Sequence, residues 1–189
     1  MYSKFAPALL CVFSLAFIPA SAHADGCKLV RIASFDFTEN GSLIVPVTVT
    51  GTSEPVAIDT GSPISAIDPG VVDKLHLPEH EISQGTMFDL AGESAKYVST
   101  LHDLGLGGMH ASDVQFLVWP SPMTKDGNLA GTIGADLLRH YDVDIDFAAH
   151  RLALFSQDHC PGQVVYWTTG AVAVVPMHIV GSGHIVVPV

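Results

Sequence analysis

The sequence predicts an all-β, barrel-like domain with one or two short helices. Runs rich in Val, Ile and Thr recur at strand length, Gly, Pro, Asn and Asp cut between them, and only two stretches carry helix signals. Leu29 to Phe37, Leu43 to Thr50 and Pro55 to Ile58 are the first strand candidates, with Asn40-Gly41 as a hairpin turn between the first two. Asp68-Pro69 predicts a helix start, Asp as N-cap and Pro at the first helical position, with Gly70 to Leu77 carrying it. Gln84 to Leu90 and Ala95 to Leu104 flank Ala91-Gly92-Glu93, a second hairpin candidate, and Val114 to Trp119 is a strand ended by Pro120 and Pro122. Gly134 to His140 is short, Leu-rich and helical. Asp142 to Phe147 then alternates Asp outward with Val, Ile and Phe inward, and Arg151 to Phe155 pairs with it across Ala148-Ala149-His150.

The ends read differently from the middle. Lys4, the uncharged apolar run Phe5 to Ala20 and the small residues of Ser21-Ala22-His23-Ala24 form an export signal, with cleavage expected after Ala24. The run falls short of the about 20 apolar residues that span a bilayer, a retained anchor being the alternative. Cys11 lacks the preceding small residue of a lipoprotein signal and leaves with the leader. The expected location is periplasmic or secreted, without stable membrane insertion. The remaining chain, about 165 residues, suits one domain. A net charge of −11 argues against nucleic acid or anionic lipid as partners, since those are bound by dense Lys and Arg.

Cys27 and Cys160 flank the domain, residues 25–160. An oxidising compartment would let them form one bridge tying its ends together, with two independent thiols as the alternative. No Cys pair is closely spaced and the ten His are scattered, so neither a metal site nor a cofactor is expected. Residues 161–189 read as a linker followed by a repeat. Gly183-His184-Ile185-Val186-Val187-Pro188-Val189 matches Gly41-Ser42-Leu43-Ile44-Val45-Pro46-Val47 at four of seven positions, with two more aliphatic in both. Either a second, truncated lobe starts here or Val-rich strands resemble one another by chance.

The chemistry centres on Val56-Ala57-Ile58-Asp59-Thr60-Gly61-Ser62: an apolar strand that ends in an acid and a small turn. Such a strand offers a carboxylate to a cleft, and the Gly lets backbone approach closely; taken alone, Asp-Thr-Gly is equally an ordinary β-turn. Asp136, in the second helix, reads as structural, and Asp142, Asp144 and Asp146 as solvent-facing rather than as a metal site. Ser62 lacks the Gly-x-Ser-x-Gly elbow that a Ser-His-Asp site would bring.

Val56 to Ile67, VAIDTGSPISAI, resembles the active-site loop of retropepsin-like aspartic proteases. Gly131-Thr132-Ile133-Gly134-Ala135-Asp136-Leu137-Leu138 resembles the family's second block, where an apolar residue and a Gly pass close to the catalytic loop before a short helix. The resemblance covers roughly Leu43 to Phe155, and the leader aligns it with exported bacterial members rather than viral ones. It implies a closed β-barrel lobe and an aspartic-type endopeptidase in which Asp59 is one carboxylate of a water-activating dyad. It also implies that Thr60 braces the loop against a partner lobe, Gly61 keeps the turn tight, and Ser62 hydrogen-bonds the outer carboxylate oxygen. Ile133 and Gly134 support the loop, and the hairpin at Ala91, Gly92 and Glu93 is the candidate flap. One Asp-Thr-Gly is half of what the chemistry needs, so the resemblance implies a homodimer or a tandem second lobe acting on peptide substrates. A non-catalytic peptide-binding or scaffold module of the same fold is the alternative.

Overall fold

The computed structural model describes residues 29–39, 43–82, 92, 94–124, 128–159 and 164–188. The elements run β1 (Arg31–Asp36), β2 (Thr38–Glu39), β3 (Leu43–Val49), β4 (Thr52–Ile58), β5 (Ala66–Ile67), α1 (Pro69–Leu75), β6 (Glu79–Glu81), β7 (Tyr97–Leu101), β8 (Leu104–Leu106), β9 (Met109–Ala111), β10 (Val114–Val118), β11 (Gly131–Ile133), α2 (Ala135–Leu138), β12 (Asp142–Asp146), β13 (Arg151–Phe155), β14 (His178–Ile179) and β15 (Ile185–Val186). This is the expected all-β class with two short helices. The main sheet runs β6-β7-β10-β5-β11-β4-β3-β8-β9, with β2 on β3, and curls into a half-barrel. A three-stranded sheet, β1-β13-β12, and the small β14-β15 hairpin complete it. No helix of the described residues is long and apolar enough to cross a membrane.

Strand burial follows sheet position. In β3 the odd residues Val45, Val47 and Val49 are buried while Pro46 is exposed, the alternation of a strand with one wet face. In β4 the pattern breaks: Val56, Ala57 and Ile58 are buried in succession. There β4 lies between β3 and β11, and the apolar run is the mark of a strand covered on both faces. The core gathers these residues with Leu101, Phe116, Ile133, Leu152 and Leu154.

Several elements differ from the sequence expectation. The stretch Leu29 to Phe37 is not the hairpin partner of β3: β1 pairs with β13, and only Thr38 and Glu39 turn back onto Ile44 and Leu43. The Asn40-Gly41 turn itself lies outside the described residues. A hairpin missed in the sequence joins β3 to β4, with Thr50 (φ 47°) and Gly51 (φ 82°) both in the left-handed region that its turn requires. The strand expected from Ala95 to Leu104 ends as β7 at Leu101, because a turn at 102–103 interrupts it, and β8 and β9, unexpected from the sequence, pair across a second turn at 107–108. Phe147, expected to point inward, is 60% exposed at the β12–β13 turn. Asp142, Asp144 and Asp146 are half-buried rather than solvent-facing. Asp142 pairs with His159 at 2.5 Å, Asp144 accepts from the Tyr166 hydroxyl, and Asp146 accepts from the Ala149 amide at 2.9 Å.

The first helix forms as its caps dictate. The Asp68 side chain accepts from Gly70 N at 2.8 Å, Pro69 opens the helix, and His76 ends it in the left-handed conformation (φ 51°). The other Asp68 oxygen accepts from Met123 N at 2.7 Å, so the cap also ties down the loop that leads toward β11. Gln84 to Leu90, Ala91 and Glu93 lie outside the described residues, as do Cys27 and Cys160.

Candidate active site

The site grows from one topological feature. Strands β4 and β5 are consecutive in the chain, yet β11 lies between them, parallel to β4 and antiparallel to β5. The connection 59–65 must therefore arch over the end of β11. Ile58 pairs with Ile133, and one residue further Asp59 N donates to Ile133 O at 2.9 Å, which continues the ladder into the turn. On the far side of the arch, Ala135 N donates to Ser62 O at 2.8 Å.

Gly134 is where arch and strand nearly touch. A Cβ built there would lie 2.8 Å from both Ile64 C and Ile64 O, and 2.9 Å from Ser62 O. Its backbone is extended (φ −98°, ψ −173°), a conformation open to any residue, so the need for glycine comes from close approach. Gly131 repeats the theme one pair earlier, with Ala66 O at 2.6 Å.

A buried polar knot fastens the crossing. Ser65 is fully buried; its hydroxyl accepts from Gly134 N at 3.0 Å and donates to Asp136 Oδ1 at 2.7 Å. Ser65 N donates to Asp136 Oδ2 at 3.0 Å, and Leu137 N donates to Oδ1 at 3.0 Å. Asp136, itself half-buried, thus holds the loop and the first turn of α2 together with a partner on each carboxylate oxygen, which offsets its partial loss of water. Ser65 is the residue that sequence reasoning missed. Its one signal is a lone hydroxyl inside the apolar stretch Ile64-Ser65-Ala66-Ile67.

Asp59, Thr60 and Gly61 sit at the crest of the arch, all exposed. Asp59 Oδ1 accepts from Gly61 N at 3.0 Å and from Ser62 N at 3.2 Å, an Asx-type turn that orients the carboxylate. A Cβ on Gly61 would approach that oxygen to 3.3 Å. The contact expected from Ser62 comes from its amide; its hydroxyl donates to Ile64 O at 2.7 Å instead. Ile133 supports the loop through its carbonyl, with its side chain only 1% exposed in the core. Of the candidate flap, Gly92 alone is described, in the left-handed region at φ 84°.

An oriented, exposed carboxylate can bind and polarise a water, but sharing one proton between acid and base requires a second carboxyl a few Å away. Two shallow surface depressions, one between β2 and the β3–β4 hairpin and one around Lys96 and Trp119, are not lined by Asp59.

Residues 45–137 match the family described as aspartyl protease. No curated protein matches the chain at a significant level. Among solved structures the chain is similar to a retropepsin-like aspartic protease from Rickettsia conorii, at 16% identity over 68% of this chain and 92% of that one, with a TM-score of 0.47. It is also similar to the retroviral protease-like domain of Ddi1 from Leishmania major (17% identity, 62% and 95% covered, TM-score 0.41). A third similar structure is the EIAV protease complexed with the inhibitor HBY-793 (18% identity, 54% and 91% covered, TM-score 0.42).

Proposed function

We propose, for a chain whose residues 45–137 form an aspartyl-protease family domain, that it is one lobe of an exported aspartic-type endopeptidase, completed by a second carboxylate. What carries the reading is the place of Asp59: at the end of a buried strand, on the crest of a loop pinned by Ile133, Gly134 and Asp136, its oxygen held by two amides. Binding alone would not require a carboxylate to be fixed so closely.

In the proposed reaction a water lies between Asp59 and its partner carboxyl. The ionised carboxylate takes a proton from the water as its oxygen attacks the peptide carbonyl carbon. The protonated carboxyl gives its proton to the carbonyl oxygen, and a neutral tetrahedral diol forms. Proton transfer to the amide nitrogen then lets the C–N bond break, leaving an acid and an amine. Thr60 and Gly61 shape the turn that presents Asp59, and the partner carboxyl comes from the equivalent Asp of a second lobe or copy. Extended peptides are the substrate class, bound as added strands.

The test is cleavage of a mixed peptide library at several protein concentrations, beside Asp59→Asn. The reading expects cleavage that rises faster than linearly with protein and falls at least about 10³-fold in the variant, since the residue serves as acid and base in one pair. Turnover that survives Asp59→Asn overturns it. The single Asp-Thr-Gly of the sequence leaves one competing reading, a peptide-binding module without turnover; a folded protein that binds peptides and never cleaves them would establish that one.

A further inference from the structure

The main sheet ends at β6, and there the chain leaves backbone groups unused. β6 pairs antiparallel with β7 (Glu79↔Ser99, His80↔Val98, Glu81↔Tyr97) and with no other strand among the described residues. Pro78 O accepts from Thr100 N at 3.3 Å, and Ile82 N donates to Lys96 O at 2.8 Å, so the even positions turn their backbone toward β7. Backbone direction alternates along an antiparallel strand, and the N–H and C=O of Glu79 and Glu81 therefore point away from the sheet. All three residues of β6 are exposed. A row of outward donors and acceptors is a template for one more strand.

The side chains select which strand. Glu79 and Glu81 lie two residues apart on one face of β6, and neither carboxylate has a partner among the described residues. Charge on an edge strand guards it against like strands. With the chain at a net −11, carboxylates here repel a second copy and leave the edge open to a strand of opposite charge. Beside Glu79, a depression of about 450 Å³ is lined by Tyr97, Trp119 and Pro120 among others. Aromatic rings next to a carboxylate suit the long stem and cationic head of Lys or Arg. Lys96 lines the depression as well, and two carboxylates against its one charge leave the patch negative. β9, at the other end of the sheet, lacks this combination: its His110 is already paired with Asp103 at 3.1 Å.

We propose that the open edge of β6 docks an extended segment of another protein carrying Lys or Arg at alternate positions. The segment adds to the main sheet with its cationic side chains opposite Glu79 and Glu81, one of them entering the depression beside Tyr97 and Trp119. In sheet order β7, β10, β5 and β11 stand between this edge and β4, which leads into Asp59, so the proposal is independent of the carboxylate-pair reading. The probe is a short fluorescein-labelled peptide alternating Lys with Val or Thr, titrated with the full chain at low salt and read by anisotropy. Saturable binding is expected below about 1 mM, and it is the same for Asp59→Asn, which cannot cleave the probe. A peptide with Glu in place of Lys binds at least about tenfold more weakly, and the double variant Glu79→Lys, Glu81→Lys inverts that preference. Methylating alternate backbone amides of the Lys peptide in the phase that faces the edge weakens binding at least about tenfold, since an added strand needs those N–H groups. An unchanged circular dichroism melt shows that the reversed variant keeps its fold; if it does not, Glu79→Gln with Glu81→Gln replaces it and abolishes the Lys preference. Absence of saturable binding, or a folded charge variant that prefers the Lys peptide as the wild type does, overturns the proposal. So does a methylated peptide that binds as well as its parent, which would mean general charge attraction, or loss of binding in Asp59→Asn, which would place the peptide at the other loop.

Discussion

Replacing Gly134 by Ala tests the architecture of the site most directly. The added methyl would meet three backbone atoms at 2.8 to 2.9 Å, about half an ångström inside ordinary contact. None is the end of a flexible side chain. Ile64 is held by the Ser62 hydroxyl on its carbonyl, and Ser62 O by the Ala135 amide, so relief must come from lifting the arch away from β11. Overpacking of a fitted interior costs about 1–3 kcal/mol, and a backbone obstacle puts this case at the upper end, about 3 kcal/mol. In a chain of this size that lowers Tm by roughly 6–12 °C. The assay is urea and thermal unfolding beside Gly181→Ala, where nothing lies within 4 Å of the new methyl and the change stays within about 0.5 kcal/mol. Lifting the arch also breaks the Ser65 hydroxyl contact with Gly134 N, so under the proposed function the loss extends to the cleavage assigned to Asp59. Equal stability for the two variants would refute the close-approach argument.

Three further outcomes follow from named contacts. Ser65→Ala leaves the buried Gly134 N without its partner and takes one of two donors from Asp136 Oδ1, and costs about 1–3 kcal/mol in urea unfolding; a loss under about 0.5 kcal/mol would mean that the knot contributes nothing. Lys74→Met strands Glu54, 5% exposed and otherwise paired at 2.7 Å; because Lys74 itself is largely in solvent, the cost is about 1–3 kcal/mol, and Glu54→Gln on the same background recovers part of it. Burial first, then the hydrogen bond and charge of Asp144, raise the Tyr166 hydroxyl above the ordinary tyrosine value of 10.0. The folded chain therefore binds that proton more tightly than the unfolded one, so the hydrogen bond to Asp144 is fully present below pH 10 and lost as pH rises through the higher folded value. Fluorescence of the neighbouring Trp167 reports the release, Asp144→Asn brings it to lower pH, and a release below the ordinary tyrosine range would contradict the assignment.

Much of this protein is legible along the chain because the relevant physics is local. Asp68-Pro69 states a helix start, since a side-chain acceptor and a fixed φ act within three residues. Val143 to Phe155 states a hairpin because alternation on either side of a short connection suffices to pair β12 with β13. Asp59-Thr60-Gly61 after an apolar strand, and a Gly before a short helix, are local patterns too, and the residues named from them meet at one loop. The departures have non-local causes. β1 abandons the hairpin with β3 because β13, more than a hundred residues away, offers it a longer ladder. Phe147 breaks its alternation because the turn lifts it clear of the sheet.

By itself the sequence determined the strand-rich class, the helix caps and the acid that ends β4, all consequences of side-chain size, branching and short-range hydrogen bonding. Only the tertiary structure decided that β11 slides between β4 and β5, because strand order is set by pairings between distant segments. That insertion makes the loop arch, gives Gly134 its need for glycine and gives Ser65 its buried partner. The two amides that hold the Asp59 oxygen are local, but the contacts with Ile133, Gly134 and Asp136 that hold its loop lie in no window of neighbouring residues.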